Sequence, residues 1–120
     1  MLLTLQDDGV LRVYDSIDAA IRDVEPLDAE QTFRAIFDDT GQTYAIDWIR
    51  PNERRWIWVR NGEYRLVPTP TDVVDRAGLL RIIDNATVIE PEIAAARVQE
   101  IRRRLTATAP DGRRVTSDAD

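Results

Sequence analysis

The stretch Trp56-Ile-Trp-Val-Arg-Asn-Gly-Glu-Tyr-Arg-Leu-Val67 constrains this chain more than any other, because two alternating runs meet at Asn61-Gly62. Asn-Gly is a preferred pair for a two-residue type I′ turn, whose twist matches that of the flanking strands. Such a loop sets the register: Arg60 faces Glu63, Val59 faces Tyr64, Trp58 faces Arg65, Ile57 faces Leu66 and Trp56 faces Val67. Side chains alternate across a strand. Ile57, Val59, Tyr64 and Leu66 then form the core side, and Trp56, Trp58, Arg60 and Arg65 lie on the opposite face. Trp58 beside Arg65 would make a cation–π pair. Tryptophan and arginine are enriched where binding energy concentrates, so this second face is the candidate partner-binding surface. The competing reading is that a helix or a fold-back of the chain covers it and the tryptophans are core.

The rest of the chain reads as short strands and short helices. Leu2–Leu5 and Val10–Tyr14 flank the Asp-Gly turn of Gln6-Asp-Asp-Gly9, which predicts a hairpin. Asp15 stands where an N-cap belongs, and Ile17, Ala20, Ile21 and Val24 recur at helical spacing, so a helix is expected over 16–25, stopped by Pro26. Thr32–Phe37 and Thr43–Ile49 alternate around the turn signal Asp38-Asp-Thr-Gly41. That pattern predicts a second hairpin pairing Phe37 with Gln42, Ala35 with Tyr44 and Phe33 with Ile46. Thr71 or Asp72 is expected to cap a helix carrying Val73, Val74, Ala77, Leu80 and Ile83. Thr87–Glu90 reads as a short strand or an extended link. Pro91 opens a last helix with the stripe Ile93, Ala94, Val98, Ile101 and Leu105. The predicted architecture is α+β: one domain over residues 1–105, an antiparallel sheet of five or six strands, helices on one face, and a disordered tail over 106–120.

Composition narrows the chemistry. There is no histidine and no cysteine, which removes the commonest general base, the commonest metal ligand and the thiolate nucleophile. No catalytic residue, metal site or cofactor is expected. No apolar run reaches the roughly 18 residues of a membrane span. Met1–Gln6 lacks the marks of a signal peptide, so the expected location is the cytoplasm. All 16 basic residues are arginine, and they are unevenly balanced. Residues 1–50 hold 4 arginines against 11 acids, whereas residues 51–105 hold 10 against 8. With a net charge of −6, the chain should repel nucleic acid and anionic membrane, and the expected partner is a basic protein.

Asp7-Asp8 and Asp38-Asp39 fall in turns, where aspartate is favoured for its local hydrogen bonding. Asp38 and Asp39 also join the candidate partner-binding set. Arg102-Arg103-Arg104 reads as a solvated helix end. Small size, acidic turns, the Asn61–Arg65 hairpin with Trp56 and Trp58, and a helical C-terminus together resemble, at the level of general build, the immunity proteins encoded beside bacterial polymorphic or contact-dependent toxins. The resemblance implies a non-catalytic protein that blocks a toxin by occlusion, with acidic side chains speeding encounter. Two other readings stand beside it. One is a small-ligand or carboxylate-dependent enzyme domain using Asp47, Tyr44 and Arg34. The other is a homodimer formed through the tryptophan face.

Overall fold

The computed structural model describes residues 1–55, 58–70 and 74–108. The α+β class holds. Among the described residues the strands are β1 (Leu2–Gln6), β2 (Val10–Tyr14), β3 (Phe33–Asp38), β4 (Tyr44–Arg50), β5 (Glu53–Arg55), β6 (Trp58–Arg60), β7 (Glu63–Pro68) and β8 (Val88–Glu90). The helices are α1 (Ile17–Asp23), α2 (Pro26–Thr32), α3 (Arg76–Asn85) and α4 (Ala95–Thr108), the last entered through a 3₁₀ turn at Glu92–Ala94. None of them is long and apolar enough to cross a membrane. The tail from 109 onward, and the expected cap at Thr71 or Asp72, lie outside the described residues.

The strands divide into a four-stranded sheet, in the order β3-β1-β2-β8, and the two-stranded pairs β4-β7 and β5-β6. The hairpin of β1 and β2 forms as expected, with Leu3 opposite Val13 and Leu5 opposite Leu11. Gly9 closes its turn at φ 81°, a left-handed conformation that glycine adopts without steric cost. Strand alternation then makes β1 two-sided. Leu3 and Leu5, with Leu11, Val13, Ala35 and Phe37, face α3 and α4, where Leu79, Ile82, Ile83, Val98, Ile101 and Leu105 complete one core. Leu2 and Ile36 face the other way. They meet Ala20, Val24 and Ala29 of α1 and α2, and Tyr64 and Leu66 of β7. Helices therefore stand on both faces of the sheet rather than on one.

Local signals at the helix ends mostly act one or two residues from where they were read. Ser16, not Asp15, caps α1, its Oγ accepting from the Ala19 N–H at 3.1 Å. Pro26 ends α1 and also occupies the first position of α2, a helix the periodicity did not reveal. Asp75 caps α3 by accepting from the Gly78 N–H at 2.8 Å. Ile93 is 86 % exposed and leaves the stripe of α4, whose buried residues are Val98, Ile101 and Leu105 with Ala94 just before the helix.

Strand pairing departs further from the sequence reading. Beyond an isolated bridge between Phe37 and Thr43, β3 leaves β4 and pairs with β1 instead. The cause is burial: Phe37 belongs to the core under α3 and α4, whereas Tyr44, Ile46 and Trp48 pack into the other core. The Asn61-Gly62 hairpin does not form either. β7 pairs with β4, placing Leu66 opposite Ile46 and Tyr64 opposite Trp48, while β6 pairs with β5. Tyr64 explains the preference. Its ring lies 5.6 Å from Trp48 and 6.5 Å from Phe33, and its hydroxyl donates to the Val24 carbonyl at 2.6 Å. A local hairpin offers no such burial, and nonlocal packing overrides turn propensity.

Gly62 is needed for a different reason than the one its dipeptide suggests. It is not at positive φ, so a type I′ turn is excluded. Instead its backbone presses on Arg50, Pro51 and Asn52, leaving no room for a Cβ, and its N–H donates to Asn52 Oδ1 at 2.7 Å. Gly62→Ala is expected to destabilise the fold by about 1–3 kcal/mol, the usual cost of overpacking a rigid contact. Urea unfolding of the two proteins measures the difference, and an unchanged midpoint contradicts this role.

Candidate functional site

The hairpin expected around Asn61-Gly62 is replaced by an arm formed by β5 and β6. β5 and β6 pair as Glu53–Arg60, Arg54–Val59 and Arg55–Trp58, and their substantial packing is with each other. Successive residues of β6 point to opposite sides, yet Trp58 is 40 % exposed and Val59 48 %. Both faces of the arm therefore meet solvent. Ile49, 56 % exposed, precedes the arm near the end of β4. Arg60 lies over the Trp58 ring, 5.4 Å from its centroid, and Arg65 is not the residue that does so. Arg60 also pairs with Glu53 across the strands at 3.7 Å. Trp56 and Ile57 lie outside the described residues.

The remaining members of the predicted partner set are elsewhere. Arg65 is on the outward face of β7, where its Nε donates to Asp47 Oδ2 at 2.7 Å. Asp38 is committed to its own turn. It accepts from the Thr40 N–H, the Thr40 hydroxyl, the Gln42 N–H and the Tyr44 hydroxyl. Burial alone would raise its carboxyl, but these donors outweigh burial and hold it below the usual carboxylate range. Asp39 offers its carbonyl to Arg104 at 3.0 Å. This turn and the arm sit at opposite ends of the β4-β7 ladder, about 20 Å apart at the rise of an antiparallel strand. The structure thus joins Trp58 with Arg60 but separates them from Asp38 and Asp39. The alternative trio is also divided. Arg34 and Tyr44 line a cleft of about 320 Å³ between β3 and β4, whereas Asp47 is half-exposed in its pair with Arg65.

A second feature was present in the sequence as plain alternation but was not read. Leu3, Leu5, Leu11 and Val13 take one face of the β1-β2 hairpin, so Thr4, Gln6, Arg12 and Tyr14 take the other. They form a continuous hydrogen-bonded row. Tyr14 donates to Asp23 Oδ2 at 2.6 Å and accepts from Gln6 Nε2 at 3.1 Å. Gln6 also donates to Thr4 Oγ1 at 3.0 Å and accepts from the Arg12 guanidinium at 2.8 Å. Arg12 then reaches Asp8 at 3.1 Å and Glu90 at 3.2 Å. Thr4 and Gln6 are buried, and each has its partners.

The electrostatics of this row hold it in one protonation state near neutrality. The Val10 N–H, then Arg12, lowers the Asp8 carboxyl. Burial pulls the Arg12 guanidinium down, but Asp8 and Glu90 overcome that and raise it. Burial, reinforced by the bond to Asp23, pushes the Tyr14 phenol up to about 12. Tyr64 is pushed to about 12 by burial and the Asp23 charge.

Two clefts flank the row. One of about 490 Å³ lies beside Asp7, Asp8, Asp23, Glu25 and Asp28, giving the acidic first half of the chain a common surface. The other, of about 790 Å³, lies between α1 and β8. The arm joins this region through its root: Asn52 Nδ2 donates to the Pro26 carbonyl at 2.8 Å, at the corner between α1 and α2.

Compared with protein families, with characterised proteins and with solved structures, the chain matches none.

The tyrosines provide a direct check. The chain has three, and Tyr44 is also raised, by burial first and then by Asp38. The unfolded chain releases these protons near pH 10, whereas the folded chain keeps them. The stability they confer is complete below about pH 10 and is lost as pH rises through the folded values. Ultraviolet titration of the native protein should show no tyrosinate forming with an ordinary midpoint, and Tyr14→Phe should remove one late-titrating group. A native tyrosine titrating normally contradicts these environments.

Proposed function

We propose that this chain is a protein-interaction domain that works by covering a surface of another protein, without chemistry of its own. In the bacterial setting implied by its resemblance to toxin immunity proteins, that partner is a toxin whose active surface it blocks. The observation that carries this reading is the arm. An isolated two-stranded ribbon is marginally stable in water, yet this one displays Trp58 and Val59 on its two faces with Arg60 against the tryptophan. Aromatic and arginine side chains of this kind are typical anchors of an interface. A partner that closes over the ribbon buries what the body of the protein does not.

Charge supports the same reading. The cleft beside the arm root gathers Asp7, Asp8, Asp23, Glu25 and Asp28 with Arg12 as the one cation among the described lining residues. A basic partner would be steered toward that side and oriented on it, chiefly through a faster association rate. The encounter is then salt-dependent, while the arm governs how long the complex lasts.

Affinity capture from the native host, with wild type and Trp58→Ala side by side, tests the reading. Removing an interface anchor is expected to weaken binding of the captured protein about 30-fold, with circular dichroism unchanged. The captured protein should be basic and should lose its toxicity when one equivalent of the chain is added. Equal binding by both variants rejects the arm, and self-capture in place of a second protein would make the same surface a homodimer contact.

A further inference from the structure

We infer that the cleft between α1 and β8 is a docking groove for a segment of the partner protein that carries arginine or lysine between apolar residues. This rests on the proposed interaction role and assigns that role a second contact, separate from the arm. The groove exists because the four-stranded sheet is covered unevenly. On the face carrying Leu2 and Ile36, α1, α2 and β7 pack over the β3-β1 side. Toward the other edge, where β8 lies parallel to β2 with Val88 beside Val10 and Glu90 beside Arg12, the cleft remains.

Its walls are mixed in a way that selects the occupant. Ala19 and Pro91 give it apolar lining, and Val88, 51 % exposed, adds to it. The lining continues past Tyr14 and Pro91 into a stretch of about 450 Å³ beside Ile93. A volume of this size lies within the range of clefts that hold ligands or peptide segments. The charges on it do not cancel. Arg12 is already held by Asp8 and Glu90. Asp23 is bound to the neutral Tyr14 hydroxyl, and among the described residues no cation lies within ion-pair distance of Asp23 or Glu92. An incoming segment therefore meets apolar side chains together with unneutralised carboxylates. A lysine or arginine answers both, since its methylene stem covers apolar surface while its head reaches the acids. An acidic segment would be repelled.

The test is an NMR titration of the full chain with the peptide acetyl-Gly-Leu-Arg-Leu-Arg-Gly-amide, with its Glu-for-Arg counterpart, and with arginine amide alone. The cationic peptide should shift the amides of Tyr14, Asp23 and Ile89 in a saturable, salt-sensitive manner. The acidic peptide should not, and arginine amide should bind at least several-fold more weakly because it lacks the apolar contacts. The double variant Asp23→Asn/Glu92→Gln should weaken the peptide about 5-fold, in line with two exposed charge contacts. Asparagine keeps an acceptor for Tyr14. Should that variant be perturbed, Glu92→Arg alone changes one exposed side chain ahead of α4 and is expected to weaken binding in the same direction. No shift at these amides, equal binding of the two peptides, or equal binding of arginine amide overturns the groove. Since the peptide does not need the arm, this failure is distinct from failure of the Trp58 experiment.

Discussion

Everything else in the structure leans on the two-sidedness of β1. The strand is central in its sheet and buried on both faces, so its alternation serves two cores at once. Leu3 supports α3 and α4, while Leu2 supports α1, α2 and β7. Between the two leucine sets stand Thr4 and Gln6, buried polar residues whose hydrogen bonds run sideways along the sheet into Arg12 and Tyr14. Unpaired, such groups would each cost about 1–3 kcal/mol. Paired, they specify the register of β2 against β1, because a slip of one residue would set leucines against the row. The polar face toward Asp23 and Glu90 is thus a consequence of how the central strand is built.

What could be read from the sequence divides along the same physical line. Signals that act within a few residues were legible: the Asp-Gly turn after β1, the stripe of α4, the Asp38 turn and the stop at Pro26. Signals that depend on a distant partner were not. Asn61-Gly62 carries a true local preference, but Tyr64 gains a buried ring contact and a hydrogen bond to Val24, forty residues away in sequence, by pairing with β4 instead. The same competition separates β3 from β4 once Phe37 is drawn to a different core from Tyr44. α2 was hidden because Pro26 was read only as an end, although proline is equally at home at a helix start. The row Thr4, Gln6, Arg12 and Tyr14 was visible as period-two alternation and needed only both faces of the hairpin to be followed.

The candidate site shows the same division. Trp58 and Arg60 are neighbours on one strand face because they are two residues apart, a fact that no change of pairing can alter. Arg65 was attached to them through the Asn61-Gly62 turn and Asp38 through its charge, but Arg65 is spent on Asp47 across the β4-β7 pair and Asp38 on its own turn. The two readings of the tryptophan face differ in whether it is open or covered. For Trp58 the answer follows from the arm: with the turn at Asn61-Gly62 abolished, β6 has no core to face, and neither Trp58 nor Val59 is fully covered.

The arm and the groove are also mechanically related. Asp23, which lines the groove, is the last residue of α1. Val24 accepts from Tyr64 in β7, and Pro26 accepts from Asn52 at the arm root. Four consecutive residues therefore tie a carboxylate of the groove to the base of the arm, and two of the ties are hydrogen bonds between distant parts of the chain. Gly62 closes the root from the other side by donating to the same Asn52. Binding costs least when the contacting elements are already oriented. A ribbon whose root is held by Asn52 is already oriented at its base when a partner closes on it, which lowers the cost of the proposed interaction. In the groove, the hydrogen bond from Tyr14 to Asp23 ties α1 to β2 without using any residue of the arm.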